Sequence, residues 1–321
     1  MLTVTNLTHL ATLVREHPGL RAKHDLRHVS EILGGDGDDA AVLVAGGAKS
    51  TVAAAEAIVP ALVRADPYVA GIAGMVAVLN DIAASGARTI GVLDTVVGTE
   101  AIVRGALGGI RAAADRYRVP VVGGHTTIST DEVGLSTFAM GYSANPLRAA
   151  NARPGDALVL MTCLDGQLVR GLGGVIMFSH LRGSRADRAA DDLEVIAQAA
   201  DDGVAWAARD ISMPGLGGSL LQFLESAGGG LGCTLSVDQI PVPPGVELTD
   251  WLAAFPSYGF LLACDSGAMI ERADRAGLTA VRIGTFNETS TLRLTDGAAQ
   301  LDVWDLSRVP LAGLTDGGAT V

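Results

Sequence analysis

Gly34-Gly35-Asp36-Gly37-Asp38-Asp39-Ala40-Ala41-Val42-Leu43 carries a glycine hinge with three carboxylates straight into an apolar, strand-like segment. Glycine lets a backbone turn sharply and approach a ligand closely. A hard ion such as Mg2+ takes one or two carboxylates and fills its other positions with water and substrate phosphates. Two readings follow: a loop that holds metal and phosphate, or an acidic surface turn ahead of a strand, since Gly and Asp are also turn formers. Residues further along the chain bear on the choice.

With 321 residues, 49% of them hydrophobic, the chain has material for two domains with a substantial core each. Aromatic residues make up only 4%, so Ala, Val, Leu and Gly carry the packing, which suits close helix-on-sheet layers. A net charge of −12 without any Lys/Arg stripe argues against a nucleic-acid partner. Cys163, Cys233 and Cys264 are widely spaced and form no CxxC pair, which reads as core cysteines of a reducing compartment. Met1 to Leu13 has no basic start or small-residue cleavage site, and the apolar run Val69 to Leu79 is too short to span a bilayer. The expectation is a cytoplasmic protein with no membrane partner.

Working outward, residues 1–33 form an N-terminal arm of helical character, and its histidines read as a solvated face. Ala40 to Ala45 and Val52 to Val59 are strand candidates. Between them, Ala48-Lys49-Ser50-Thr51 looks like the end of a phosphate loop, but Leu43 and Ala48 stand where that motif requires glycine. Lys49 and Lys23 are the chain's two lysines, so any chemistry needing a lysine has little choice. Asp66-Pro67 starts a helix that Gly86 stops. That helix is apolar nearly all round yet carries Asn80 and Asp81, and a carboxylate there is costly unless paired or metal-bound. The alternative is an Asp bonded to a loop amide.

Thr89 to Val97 reads as a strand, Thr99 to Arg118 as an amphipathic helix, and Val119 to Val122 as a strand that ends in Gly123-Gly124-His125-Thr126-Thr127. Leu135 to Ser143 alternates as a further strand. This order predicts a mixed sheet with helices on one face over residues 34–150. A second, α/β domain covers 151–310: a strand at Ala157 to Thr162, a glycine-rich mobile segment at Gly171 to Ser184, and a helix over Asp191 to Ala208. The acidic, glycine-bearing entry Asp210 to Gly218 then opens a helix at Ser219, whose N-terminus would favour phosphate. Residues 311–321 read as a flexible tail.

Several separated motifs then agree. Gly37-Asp38-Asp39-Ala40-Ala41-Val42, Asn80-Asp81-Ile82-Ala83-Ala84-Ser85-Gly86-Ala87, Gly123-Gly124-His125-Thr126, Ala152-Arg153-Pro154-Gly155-Asp156-Ala157 and Asp210-Ile211-Ser212 with Gly215-Leu216 occur in an order that resembles the aminoimidazole ribonucleotide (AIR) synthetase-related superfamily. The resemblance covers about residues 34 to 290. It implies an ATP- and Mg2+-using enzyme acting on a small-molecule acceptor, and a homodimer whose N-terminal sheets close a shared β-barrel. Carried over by motif, Asp38, Asp39, Glu56, Asp81 and Asp210 would hold metal. Gly34, Gly35, Gly37, Gly123, Gly124 and Thr126 would contact the nucleotide, and His125 and Lys49 would join Asp81 and Asp210 in catalysis. The chain departs from its relatives at Glu56, where Asp is frequent, at Met213-Pro214, and in lacking the reactive cysteines that two relatives use. A protein that keeps the fold and binds nucleotide without chemistry is the alternative.

Overall fold

The computed structural model describes residues 7–33, 38–43, 49–171 and 175–313; Gly34, Gly35 and Gly37 lie outside them. Helices α1 (Leu7–Arg15), α2 (Pro18–Ala22) and α3 (Arg27–Leu33) precede β1 (Ala41–Leu43) and β2 (Ser50–Ala57). The first domain continues with α4 (Pro60–Ala65), α5 (Pro67–Ala84), β3 (Arg88–Gly98), α6 (Glu100–Tyr117), β4 (Val121–Ile128) and β5 (Gly134–Ser143). The second half opens with β6 (Ala157–Thr162), β7 (Gln167–Arg170), β8 (Ile176–Ser179), α7 (Ala189–Asp201), β9 (Ala205–Asp210) and α8 (Gly215–Ser226). It ends with β10 (Gly232–Ser236), α9 (Leu248–Ala253), β11 (Phe255–Pro256), β12 (Gly259–Cys264), α10 (Ser266–Ala276), β13 (Thr279–Asn287), β14 (Thr291–Thr295) and β15 (Gln300–Asp305).

In the first domain the strands order as β1-β2-β5-β3-β4, with β3 and β4 parallel and the other pairs antiparallel. This is the expected mixed sheet with α5 and α6 on one face. Within one chain the sheet is open rather than closed into a barrel. Inward positions of β3 and β5, such as Val92, Val96, Leu135 and Ala139, are buried against the helices. Outward positions Ile90, Leu93, Phe138 and Met140 are exposed, together with Val122 of β4.

The second domain stacks a seven-stranded sheet, β15-β14-β10-β13-β6-β12-β9, between two helical layers. Its central strands are buried on both faces. Leu158 and Leu160 of β6 join one core with α1, α8 and α9, while Val159 and Met161 join the other with α7 and α10. A small sheet, β11-β8-β7, lies beside them.

Helix α5 links the two domains. The Asp66 side chain caps it by accepting the Val69 amide at 3.0 Å, and Gly86 follows its end at φ +66°. Val78, Leu79 and Ile82 belong to the core of the first domain, whereas Ala83 and Ala84 belong to that of the second. Its all-round apolar surface is therefore the consequence of serving two cores.

Several expectations are corrected. The strand expected at Val119 to Val122 begins at Val121 and runs on to Ile128, so Gly123 to Thr127 form the body of β4, an edge strand. The helix expected to run to Ala208 stops at Asp201, and residues 205–210 form β9 instead. Part of the glycine-rich Gly171 to Ser184 segment is strand β8. The N-terminal arm is not merely solvated: Leu7, Leu10, Ala11 and Val14 are buried in the second domain's core. Nor is the tail free from Leu311, because the Glu225 carboxylate accepts the amides of Leu311, Ala312 and Gly313 at 2.6–3.2 Å.

Candidate functional site

Three carboxylates from three parts of the chain converge where the domains meet. Asp39 precedes β1, Asp81 lies near the C-terminal end of α5, and Asp210 ends β9. One oxygen from each lies within 4.8 Å of the others. Asp81 and Asp210 are 6% and 5% exposed, and the Asp39 side chain is equally buried. Asp210 donates its amide to Asp39 Oδ2 at 3.0 Å, a hydrogen bond that ties the first domain to the second.

Asp38 and Glu56 flank this trio. Asp38 accepts the amides of Asp39 at 3.0 Å and Ala149 at 2.9 Å, which fixes the turn before β1 against the interdomain segment. Glu56, on β2, lies close enough to Asp81 for each carboxyl to affect the other's protonation. Like charges packed in a dry site cannot all ionise easily. Burial, reinforced by Asp39, raises Asp38 to about 6. Burial raises Asp39 to about 7, with Asp210 adding to the rise and Arg209 opposing it. Burial with repulsion from Glu56 raises Asp210 to about 6, against Arg209 and Lys23. Asp81 is raised well above the usual carboxylate range by burial and then by Asp210, Glu56 and Asp39.

Two cations that sequence reading did not place here balance the acids. Arg209, adjacent to Asp210 on β9, sets Nη2 at 2.8 Å from Asp39 Oδ1 and Nη1 at 3.9 Å from Asp38 Oδ1. From its other side, Nη1 donates to Ser226 Oγ on α8 at 3.2 Å. Lys23 lies in the 3-10 turn between α2 and α3; burial and Arg209 lower its pKa, while Glu56, Asp210 and Asp39 raise it. Being one of only two lysines was the signal that could have singled it out.

The arm that carries Lys23 is anchored on the second domain. His17 Nδ1 accepts the Gly19 amide at 3.1 Å, so Nε2 carries the proton that goes to the Ala253 carbonyl at 3.2 Å. A side chain on Gly19 would meet the Met213 carbonyl at 2.8 Å. Gly217 and Gly218, expected at a phosphate-binding helix start, are closed off by Val14, Pro214 and Leu20. The glycines at the start of α8 thus receive the arm.

The other sequence candidates lie apart. Lys49 Nζ sits 4.0 Å above the Tyr142 ring, a cation–π contact. It precedes β2 at the end away from Glu56, roughly 20 Å along the strand. Gly123, Gly124, His125 and Thr126 lie on β4, three strand spacings, or about 14 Å, across the sheet from β2. His125 shares the open face with Thr95, its register partner on β3.

An all-oxygen, carboxylate-rich donor set without His or Cys suits a hard divalent ion such as Mg2+ rather than zinc. Burial first, and then their closeness to one another, opposes ionisation of these acids unless a cation is present.

The chain matches the family model for the AIR synthase related protein N-terminal domain over residues 37–143 and the one for the C-terminal domain over 153–297. It is 27% identical to the phosphoribosylformylglycinamidine synthase subunit PurL of Methanopyrus kandleri over 95% of this chain and 46% of that protein. An uncharacterized Synechocystis protein is 29% identical over 82% of this chain and 81% of its own length. Among solved structures, T. maritima PurL complexed with ATP superposes with TM-score 0.74 at 18% identity, covering 98% of this chain and 53% of that one. AaThiL complexed with AMPPCP and TMP superposes with TM-score 0.65 at 17% identity, covering 86% and 95%. The chain therefore spans about half the length of the PurL proteins it matches and nearly the whole of AaThiL. With both domain models matched in order across most of its length, the chain belongs to the AIR synthase-related superfamily.

Proposed function

We propose that this protein is an ATP- and Mg2+-dependent enzyme that phosphorylates, or activates by phosphorylation, an oxygen of a small metabolite. The observation that carries the reading is the buried trio Asp39, Asp81 and Asp210, assembled from both domains. Those three carboxylates would hold the ion, with Glu56 and Asp38 beside them; bound there, the ion supplies neutralising charge to phosphate oxygens. Lys23 would offer a second positive charge to the phosphates, and Gly34, Gly35 and Gly37 would contact the nucleotide. In the transfer the acceptor oxygen bonds to the γ-phosphorus as the bond to the β–γ bridging oxygen breaks, leaving ADP. Burial of the trio keeps water away from that step. PurL and AaThiL, solved with ATP and AMPPCP, support nucleotide binding at this fold.

A second copy of the chain would cover the open sheet face of Ile90, Leu93, Val122, Phe138 and Met140, whose exposed apolar side chains support that reading. The proposed setting is the cytoplasm.

Thermal unfolding with and without ATP, in Mg2+ or EDTA, tests the reading on wild type and Asp81→Asn. Ligand at a hundred times its dissociation constant stabilises by about 2.7 kcal/mol, a shift of roughly 2–4 °C at this size. The shift is expected only with Mg2+ and only in wild type. No shift under any metal condition would remove the enzyme reading.

A further inference from the structure

Arg209 pairs with one member of the acid trio, Asp39, and approaches its neighbour Asp38, so it brings positive charge to a carboxylate that would hold the metal ion. Its guanidinium stays protonated at any working pH, lies 2.8 Å from Asp39 Oδ1 and is held from behind by Ser226. The other Asp39 oxygen already accepts the Asp210 amide at 3.0 Å. Both oxygens of Asp39 are therefore engaged within the protein, and one of them is engaged by a cation. A divalent ion bonded to this carboxylate at about 2.1 Å would face the guanidinium across a few ångströms of dry interior, where like charges repel strongly.

We propose that Arg209 is a resident counter-cation: it neutralises Asp39 in the metal-free protein and must leave that carboxylate for the ion to bind. This inference rests on the metal-binding reading above. Arg209 thereby acts as a positioning residue that holds the trio together without metal and sets a threshold for metal entry. Ser226 offers the departing guanidinium a partner on the α8 side, so the movement is a small swing away from Asp39.

The test uses Mn2+ alone as probe, titrated into the full-length wild type, Arg209→Gln and Arg209→Lys, with thermal unfolding of each in EDTA and in Mn2+. Removing the competitor should tighten Mn2+ binding at least tenfold in Arg209→Gln, equivalent to about 1.4 kcal/mol, while Arg209→Lys stays near wild type. In EDTA, Arg209→Gln should melt below wild type, and Mn2+ should restore it fully, because the ion replaces the lost charge. Mn2+ binding no tighter in Arg209→Gln than in wild type would overturn the proposal. So would an Arg209→Gln protein that Mn2+ cannot restore, including one that folds only poorly in EDTA. Wild-type binding that Asp81→Asn abolishes, without any gain in Arg209→Gln, sinks the counter-cation role and leaves the metal site standing. Absence of Mn2+ binding in every variant sinks both.

Discussion

Asp81 sits on the one turn of α5 that faces neither core alone, between Leu79 and Ile82 of the first domain and Ala83 and Ala84 of the second. Its carboxylate shares a dry space with Asp39, Asp210 and Glu56, so its charge opposes folding when no cation is present. Asp81→Asn should therefore stabilise the metal-free protein at neutral pH and abolish metal binding; chemical denaturation in EDTA reads the first effect. The pH dependence has a definite sign. Asp38, Asp39 and Asp210 move from an ordinary value of 3.8 to about 6, 7 and 6, so between pH 4 and 7 the native state binds more protons than the unfolded chain. Stability of the metal-free protein should fall as pH rises across that window, and Asp81, raised well above the usual carboxylate range, adds to the fall. The fall should be shallower in Asp39→Asn. Asp81 was legible in the sequence because a carboxylate in an apolar helix contradicts its surroundings. Arg209 was not, since an arginine in a strand gains meaning only from Asp39, far away in the chain.

At the scale of elements, α5 and α6 approach so closely that a side chain on Gly109 would lie 2.0 Å from the Tyr68 carbonyl oxygen, and one on Gly71 would lie 2.2 Å from that of Ala106. Neither neighbour is a flexible tip that can yield. Gly109→Ala should lower stability by about 1–3 kcal/mol, measured from the denaturant midpoint, while Gly203→Ala, with open space around it, costs only its left-handed backbone strain. The sequence showed α5 through its cap, proline and stop, and showed β6 through an apolar run. It ended β4 too early, at Val122, because Gly-Gly-His-Thr-Thr has turn composition and takes its strand form from pairing with β3. Likewise Ala205 to Ala208 continues a helical composition, and only the register with β12 makes it a strand. Short β7 and β8 gain their pairing from each other, which local propensity does not encode.

For the molecule as a whole, the open sheet face exposes Ile90, Leu93, Val122, Phe138 and Met140 in a contiguous patch beside a cavity of about 170 Å3. With a second copy on that face, sedimentation should give twice the chain mass. Phe138→Asp should give the monomer mass with an unchanged circular dichroism spectrum, because the side chain touches solvent rather than the core. The two-domain organisation was legible from the chain's length and hydrophobic content and the order of its strands and helices, but the arm's docking was not: α1 is amphipathic, and amphipathicity does not say which core receives it.

The division of α5 between two cores bears on how such a chain can be cut or recombined. A breakpoint drawn at the loop between the domains would hand the second half an unfilled recess where Ala83 and Ala84 belong, and would leave the first half with those two residues bare. Neither piece would be a self-sufficient folding unit, and a graft of one half from a relative would have to bring its own matching helix end. The two domains and the helix that spans them pack as one piece.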